Sequence, residues 1–289
     1  WDSKGYVTPE EFRRFCSPTV LLARLDRRVF TTADSLVADV EVAHFGPAPL
    51  GAARPSWRLV DEAERTVARG SWPPRDVATG GVASLGRVEA PLGALKAPAR
   101  YRLVAGLDGT PNENGWDVWV YPRRVEAPPS PGVRVVHALD ADAEAALHRG
   151  ESVVLLVPPA RVRGDEQGPV ALGFSSIFWN TAWTGRQAPH TLGILCDPAH
   201  PALADFPTDG HSDWQWWYLV TRAGAMILDG LPRDLRPVVQ VVDDWFTSRK
   251  LGLVFEARVG RGRLLVASID LDGDLAGDPV ARQMRRSLL

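Results

Sequence analysis

The stretch SLVADVEV, residues 35–42, decides the fold expected for the first part of the chain. Its apolar side chains occupy every second position: Leu36, Ala38, Val40 and Val42. Successive side chains of a β-strand point to opposite faces of the sheet, so a period of two predicts a strand with one buried face. Such a strand is typical of an antiparallel sheet that packs on a core with one face and meets solvent with the other.

The same alternation recurs through residues 19–126. It is found around Trp57 and Leu59, and again in the runs 101–107 and 116–120. Turn-forming residues separate these runs, in GPAPLG, PPRD, ATGG and ENG. Several short strands within about 100 residues are typical of an immunoglobulin-like sandwich. We therefore predict an all-β immunoglobulin-like sandwich over residues 19–126.

Residues 1–18 contain one predicted helix. In TPEEFRRF, Thr8 is expected to be the N-cap, Pro9 to take the first helical position, and Glu11 to complete a capping box. Pro18 ends the helix. A single helix of this length is marginal in water, so we expect it to dock on a preceding domain.

The character of the chain changes after EAPPSPG, residues 126–132, which predicts a linker. Apolar runs at 133–136 and 153–157 flank an Ala-rich segment that Asp140 caps and Gly150 ends. This order predicts a βαβ unit whose two strands are parallel.

Residues 127–289 are therefore predicted to form an α/β domain of the Rossmann or flavodoxin-like type, with a Trp-rich insertion at 174–217. Alternation over 253–259 leads into a glycine turn at 260–262, which predicts a hairpin. A last helix is expected to begin after Asp278. Its apolar face is formed by Val280, Met284 and Leu288.

Composition narrows the class of protein. A length of 289 residues exceeds the usual size of one domain, so we expect more than one. A hydrophobic fraction of 45% and a charged fraction of 24% are those of a globular protein. The net charge of -2 provides no electrostatic footprint for nucleic acid. No apolar run reaches the roughly 20 residues that span a bilayer, and no signal peptide opens the chain, so we expect no membrane partner.

The ends of the chain suggest a segment of a larger protein. The sequence begins at Trp1 without an initiator Met and stops at RRSLL inside a predicted helix. We therefore expect further sequence before residue 1.

Three stretches resemble bacterial family 2 glycoside hydrolases. NGWDVWVYP, residues 114–122, is similar to the last strand of the immunoglobulin-like domain that follows the catalytic barrel in that family. WDSKGYVTPEEFRRFCSPTV, residues 1–20, resembles the end of the barrel region. FWNTAWTGRQAPHTLGILCDPAHPALADFPTDGHSDWQWW, residues 178–217, resembles the signature of the α/β domain that ends such chains. The resemblance covers nearly the whole chain.

The resemblance implies that the parent enzyme is a β-glycosidase of the β-galactosidase or β-glucuronidase type. It places the chemistry in a (β/α)8 barrel, which needs about 250 residues, so residues 1–18 are expected to be only its exit helix. The missing N-terminal barrel of the same chain is the expected partner, and carbohydrate is the second.

The acid/base of that family is a Glu preceded by Asn, and the chain contains Asn112-Glu113. This pair lies in the turn-rich DGTPNENG, whereas a retaining mechanism needs two carboxylates about 5–5.5 Å apart on rigid strand ends. We therefore expect a turn pair, no catalytic residue and no cofactor in this chain.

The polar loop 190–213 offers two further kinds of chemistry. It carries His190, Asp197, His200, His211 and Asp213, but no spacing such as H-E-x-x-H, so these side chains are expected to bond the loop backbone instead of a metal.

The α/β region also resembles, loosely, class I glutamine amidotransferase-like domains, whose nucleophilic Cys lies at a glycine-flanked elbow. Cys196 is followed by Asp197 and Pro198, which form no such elbow, so we expect an inert buried thiol.

The densest aromatic cluster is HSDWQWWYLV, residues 211–220. A helix capped by Ser212 or Asp213 would bury Trp214 and Trp217 on one face and turn Trp216 toward an interface or solvent. The candidate ligand-binding residues are Trp179, Trp183, His190, His211, Trp214 and Trp216.

The sequence thus supports three functions. The first is a non-catalytic accessory segment of a glycoside hydrolase that serves domain packing. The second is a carbohydrate-binding module that uses exposed Trp side chains of 179–217, and the third is an independent hydrolase that uses the His, Asp and Cys of 190–213.

Overall fold

The computed structural model describes residues 4–125, 132–177 and 180–289. The chain forms two compact units, Trp1–Arg123 and Arg124–Leu289. Both are rich in β-strands and contain few helices, so the β-rich character predicted from the sequence is confirmed. The predicted linker at 126–132 lies outside the described residues, apart from Gly132.

The first unit contains one helix and ten strands within its described part. They are α1 (Pro9–Phe15), β1 (Thr19–Arg24), β2 (Val29–Thr31), β3 (Ser35–His44), β4 (Leu50–Ala53), β5 (Pro55–Val60), β6 (Thr66–Ser71), β7 (Arg75–Val77), β8 (Gly81–Pro91), β9 (Ala99–Leu107) and β10 (Glu113–Tyr121).

Two sheets of the first unit enclose one core and form a β-sandwich. One sheet has the order β1-β3-β8, and the other has the order β2-β10-β9-β5-β6, while β4 pairs only with β7. The alternation predicted for β3 is confirmed, because every second residue of 36–42 is buried. These side chains share a hydrophobic cluster with Leu59, Leu103 and Val118 of the second sheet. Burial of alternating residues from both sheets therefore holds the sandwich together.

Helix α1 begins as the sequence predicts. The Glu11 amide donates to Thr8 Oγ1 at 3.2 Å, and the Thr8 amide donates to Glu11 Oε2 at 2.7 Å, which completes the capping box. No residue of α1 is buried, and Phe12 and Phe15 are 47% and 60% exposed. Docking of this helix on a preceding domain stays a prediction.

The described part of the second unit contains four helices and seven strands. They are β11 (Val133–Val136), α2 (Ala141–Arg149), β12 (Ser152–Leu156), α3 (Asn180–Trp183), β13 (Thr191–Cys196), α4 (Trp216–Val220), β14 (Met226–Ile227), β15 (Pro237–Asp243), β16 (Leu251–Val259), β17 (Gly262–Ala267) and α5 (Pro279–Leu288). Within the described ranges, no helix has the length and apolar character required to cross a membrane.

One mixed sheet organises this unit, in the order β11-β12-β17-β16-β15-β13, and β14 pairs with β16. The predicted βαβ unit is confirmed: β11 and β12 are parallel, Asp140 caps α2, and Gly150 ends it in the left-handed conformation. The predicted hairpin of β16 and β17 is also confirmed, as is α5 with its cap at Asp278.

The predicted Rossmann, flavodoxin-like or glutamine amidotransferase-like domain is not supported. Only β11, β12 and β17 run parallel, whereas β17, β16, β15 and β13 pair antiparallel. Antiparallel neighbours need no crossover helix between them.

Gly86 provides a test of the sandwich. Its φ is +152°, it lies opposite a register shift in β3, and a Cβ there would overlap the indole of Trp72. We expect Gly86→Ala to lower the free energy of unfolding of the protein by roughly 1–3 kcal/mol. The matched control is Gly81→Ala on the same strand, where a Cβ meets nothing within 4 Å. Equal stabilities of the two variants in urea denaturation would contradict this account.

Candidate functional site

The segment that precedes α4 is attached to β13, the outer strand of the mixed sheet. The Cys196 amide donates to the Gly210 carbonyl at 3.0 Å, and the Ser212 amide donates to the Ile194 carbonyl at 2.9 Å. The exposed edge of β13 is thereby paired. The chain then leads directly through Asp213 and Trp214 into α4.

A second segment is fixed to the start of β13 through Thr191, which is fully buried. The Thr191 hydroxyl donates to the Gly173 carbonyl at 2.6 Å, and the Gly173 amide donates to Thr191 Oγ1 at 2.9 Å. The Ser175 amide donates to the Thr191 carbonyl at 3.0 Å. These bonds hold the backbone on both sides of Phe174.

The two segments line a cavity of about 540 Å³ that is open to solvent. Its described lining consists of Phe174, Leu192, Ser212, Asp213, Trp214 and Trp217. Trp214 is 60% exposed and Trp217 is 51% exposed. The rings of Phe174 and Trp217 lie 6.0 Å apart and are inclined by 47°. An apolar cavity of this size with two polar groups is suited to a small organic ligand.

Trp216 is the buried member of the cluster, with an exposure of 0%. Its indole packs edge-on against Phe206, with ring centroids 5.5 Å apart, and its Nε1–H donates to Thr208 Oγ1 at 2.9 Å. The predicted orientation is therefore wrong for all three side chains, because Trp214 and Trp217 are exposed and Trp216 is not. A side chain without exposed surface has no access to a ligand, so Trp216 leaves the candidate set.

The start of α4 explains this inversion. The helix begins at Trp216, later than the caps predicted at Ser212 or Asp213, so Trp214 precedes it. Its buried face is formed by Trp216, Leu219 and Val220, which have the i, i+3, i+4 spacing of a helix face. The apolar pair Leu219-Val220 was the signal in the sequence that places Trp216 on the core side.

Asp213 contributes the charge of the site. Its Oδ1 accepts from the Gln215 amide at 3.2 Å, and its Oδ2 accepts from Gln215 Nε2 at 3.0 Å. Burial raises the pKa of Asp213 to about 6, the hydrogen bonds from Gln215 oppose that shift, and the Asp209 carboxylate adds to it. Asp213 was predicted only as part of the polar loop and Trp217 only as one of the tryptophans of 179–217, and neither was among the six candidate ligand-binding residues.

The histidines of the polar loop bond the backbone, as predicted. His190 Nδ1 accepts from the Ala171 amide at 3.2 Å, and its Nε2 lies 3.1 Å from the Arg186 carbonyl. His200 Nδ1 accepts from the Ala202 amide at 3.2 Å. Within the described ranges, no three His, Cys, Asp or Glu side chains come together as they would to hold a metal ion. His211, exposed beside Ser212, stays a candidate ligand contact.

Two potential catalytic groups, Cys196 and Glu113, lie in environments that do not favour catalysis. Burial raises the pKa of the Cys196 thiol to about 11, so the thiol is protonated near neutral pH and is a poor nucleophile. Glu113 opens β10 and pairs with Arg58 at 3.0 Å. The predicted turn pair is therefore wrong for Glu113, whereas Asn112 lies in the connection before β10, where its Nδ2 donates to Thr110 Oγ1 at 3.3 Å.

The remaining candidates belong to the segment around α3. Trp183 ends that helix and is 74% exposed. Trp179 lies outside the described residues.

Comparison with known families identifies the chain by its second unit. Residues 134–289 match the family described as a domain of unknown function (DUF8487), and the chain belongs to that family. Residues 34–122 match a second domain of unknown function (DUF8488). A search of curated proteins gives no match.

Solved structures give only distant similarity. The sporulation control protein Spo0M from Bacillus subtilis is 11% identical over 37% of this chain and 50% of its own, with a TM-score of 0.29. A β-glucosidase from Listeria innocua in complex with glucose is 16% identical over 36% of this chain and 16% of its own, with a TM-score of 0.28. A cycloisomaltooligosaccharide glucanotransferase from Paenibacillus sp. is 11% identical over 46% of this chain and 19% of its own, with a TM-score of 0.29. The similarity thus spans half or less of each of these proteins, and TM-scores this low establish no shared activity.

The different burial of two adjacent tryptophans predicts unequal losses of stability when each is truncated. Trp216→Ala removes a packed indole and leaves a cavity, so we expect it to lower the free energy of unfolding by about 3–5 kcal/mol. Trp217→Ala, at a half-exposed site, should lower it by clearly less, on the order of 1–2 kcal/mol. Urea denaturation followed by circular dichroism measures both, and similar losses would show that the burial pattern is wrong.

The raised pKa of Asp213 predicts a pH dependence of stability. Between its ordinary value of 3.8 and about 6, the folded protein holds a proton that the unfolded chain has released. Tighter proton binding by Asp213 in the folded protein therefore stabilises the folded state. This contribution to the free energy of unfolding is fully present below about pH 3.8 and is lost as the pH rises through 6. We expect the stability of the wild-type protein relative to Asp213→Asn to fall by about 2–3 kcal/mol between pH 4 and pH 7.5. Asp234→Asn, in an exposed turn, is the control, and parallel pH profiles for wild type and Asp213→Asn would refute the assignment.

Proposed function

We propose that this chain is a non-catalytic, carbohydrate-binding accessory segment of a bacterial glycoside hydrolase that acts on β-linked sugars. The observation that carries the proposal is the exposure of two neighbouring indoles in one apolar cavity. Trp214 and Trp217 keep 60% and 51% of their surface exposed, while Trp216 between them in the helix region is fully buried.

Exposed indoles have a physical cost that calls for a function. Tryptophan is highly buried on average, and apolar surface left in water forfeits about 25 cal/mol per Å². Adjacent exposed apolar side chains typically mark an interaction site. A pyranose offers C–H groups on its ring face and hydroxyls around its edge. It can therefore stack on Trp214 or Trp217 while its hydroxyls reach Ser212 and Asp213.

The shape of the cavity favours a soluble sugar chain. The planes of Phe174 and Trp217 are inclined by 47°, and both rings line one cavity of about 540 Å³. A flat crystalline polysaccharide would need coplanar rings on an open surface. We infer that the site takes the end, or a short stretch, of an oligosaccharide.

The parent enzyme is proposed from the sequence. Residues 114–122 and 178–217 resemble family 2 glycoside hydrolases, whose catalytic barrel precedes an immunoglobulin-like domain. On this proposal residues 1–18 are the exit helix of the barrel, residues 19–126 are the immunoglobulin-like domain, and residues 127–289 are the sugar-binding domain. The barrel of the same chain is then the partner that carries the chemistry.

The proposal that this segment is non-catalytic is supported by two side chains: the Cys196 thiol, a candidate nucleophile, and the Glu113 carboxylate, a candidate acid. The thiol of Cys196, with its pKa raised by burial to about 11, is protonated at neutral pH. The Glu113 carboxylate is engaged by Arg58.

The main alternative is that Trp214 and Trp217 pack against another domain of the parent protein. It is favoured by the exposure of Trp183 and Trp245, which are 74% and 71% exposed. In that case the isolated chain would bind no sugar, and addition of the barrel would protect Trp214 and Trp217 from solvent.

Binding is tested by titrating the chain with β-linked gluco- and galacto-tetrasaccharides in isothermal calorimetry and by tryptophan fluorescence. We expect at least one of them to bind, and Trp214→Ala and Trp217→Ala each to weaken binding at least tenfold, which corresponds to about 1.4 kcal/mol.

The control variant is Phe45→Ala, which removes a 64% exposed aromatic ring of the sandwich and should leave binding unchanged. Absence of binding by every tetrasaccharide at millimolar concentration would overturn the proposal. So would binding that survives both Trp substitutions.

A further inference from the structure

We infer that the cavity at Trp214 and Trp217 accepts neutral pyranoses and rejects sugars that carry a carboxylate, because Asp213 is the one ionisable residue in its described lining. This inference rests on the proposed carbohydrate binding. It bears on the choice between galactose-type and glucuronate-type ligands, which the resemblance to β-galactosidases and β-glucuronidases leaves open.

The position of the Asp213 carboxylate is fixed by a buried neighbour. Gln215 is 0% exposed, and it donates to Asp213 from its backbone amide and from Nε2. Gln215 Nε2 also donates to the Pro207 carbonyl, which anchors the amide group. The carboxylate of this lining residue is therefore held in one position when a ligand arrives.

The same hydrogen bonds determine how many acceptor positions of the Asp213 carboxylate stay open to a ligand. A carboxylate provides about four acceptor positions. Two are taken by Gln215, and the backbone of Asp209 takes another. The remaining position can accept one hydroxyl hydrogen from a neutral sugar, whereas the carboxylate of a uronic acid has no hydrogen to give at neutral pH.

The described lining carries no compensating positive charge. It consists of three aromatic rings, Leu192, Ser212 and Asp213, whereas sites that bind carboxylates normally present Arg or Lys. The electrostatic effect of Asp209 on Asp213 adds to the negative potential. Two like charges inside a cavity walled by indoles repel each other more strongly than in water. For a glucuronate ring, the repulsion would thus offset the favourable binding free energy that comes from stacking.

The test compares three ligands that differ only at C6: a β-linked gluco-oligosaccharide, the same chain with a terminal glucuronate, and that chain with a terminal glucuronamide. We expect the wild-type protein to bind the glucose and amide forms with similar affinity and the acid at least tenfold more weakly. Asp213→Asn should bring the acid to within about threefold of the amide. Asp213→Glu, which keeps the charge, should preserve the tenfold difference.

The other possible results contradict either this inference or the proposed function. Equal affinity of the wild-type protein for the acid and the amide overturns the inference, as does weak binding of both, which would indicate exclusion by size. A difference that Asp213→Asn leaves unchanged overturns it as well, provided that circular dichroism shows the variant to be folded. If Asp213→Asn does not fold, the salt dependence of the wild-type protein decides, because repulsion between charges must weaken from 10 mM to 500 mM NaCl. Failure of all three ligands to bind the wild-type protein would instead overturn the proposed function.

Discussion

The burial of Trp216 is the interaction on which the candidate site depends. The indole is enclosed against Phe206 and its N–H is satisfied by Thr208, so both the apolar body and the polar edge of the ring are accommodated in the core. Successive residues of a helix are separated by about 100° around its axis. Anchoring Trp216 inward therefore turns Trp217 outward, and Trp214, which precedes the helix, keeps 60% of its surface exposed. Packing and exposure in this cluster are two consequences of one geometry.

The position of the Asp213 carboxylate also depends on the start of α4. Gln215, the residue before Trp216, is buried and holds the carboxylate of Asp213 through its backbone and its side chain. Burial makes the carboxylate bind its proton more tightly, which is why its pKa rises although hydrogen bonds from Gln215 and from the Asp209 backbone oppose the shift. Exposed aromatic rings and an ionisable side chain therefore line one cavity because Asp213 lies next to an anchored helix.

Several elements could be predicted from the sequence because their signals are local. The alternation over 35–42 specified β3, and Asp140 with Gly150 specified both ends of α2. In the antiparallel half of the second sheet, the β16–β17 hairpin was predicted from its local turn, whereas the pairing of β13 with β15 was missed because these strands lie far apart in the chain. The phase of α4 was missed for a different reason. Asp213 accepts the amide two residues ahead of it, which forms a turn instead of a helix cap and delays the helix.

The cavity and its charge could not be predicted, because they arise where irregular segments meet a sheet edge. An edge strand presents unpaired N–H and C=O groups that attract any neighbouring chain. Here 210–212 and 173–175 satisfy β13, the second of them through the buried Thr191. The segments that protect the edge therefore also carry Phe174, Asp213 and Trp214 to one place. Such loops can vary in the ligand groups that they carry while the sheet stays the same, because only their backbone bonds to β13 are required by the fold.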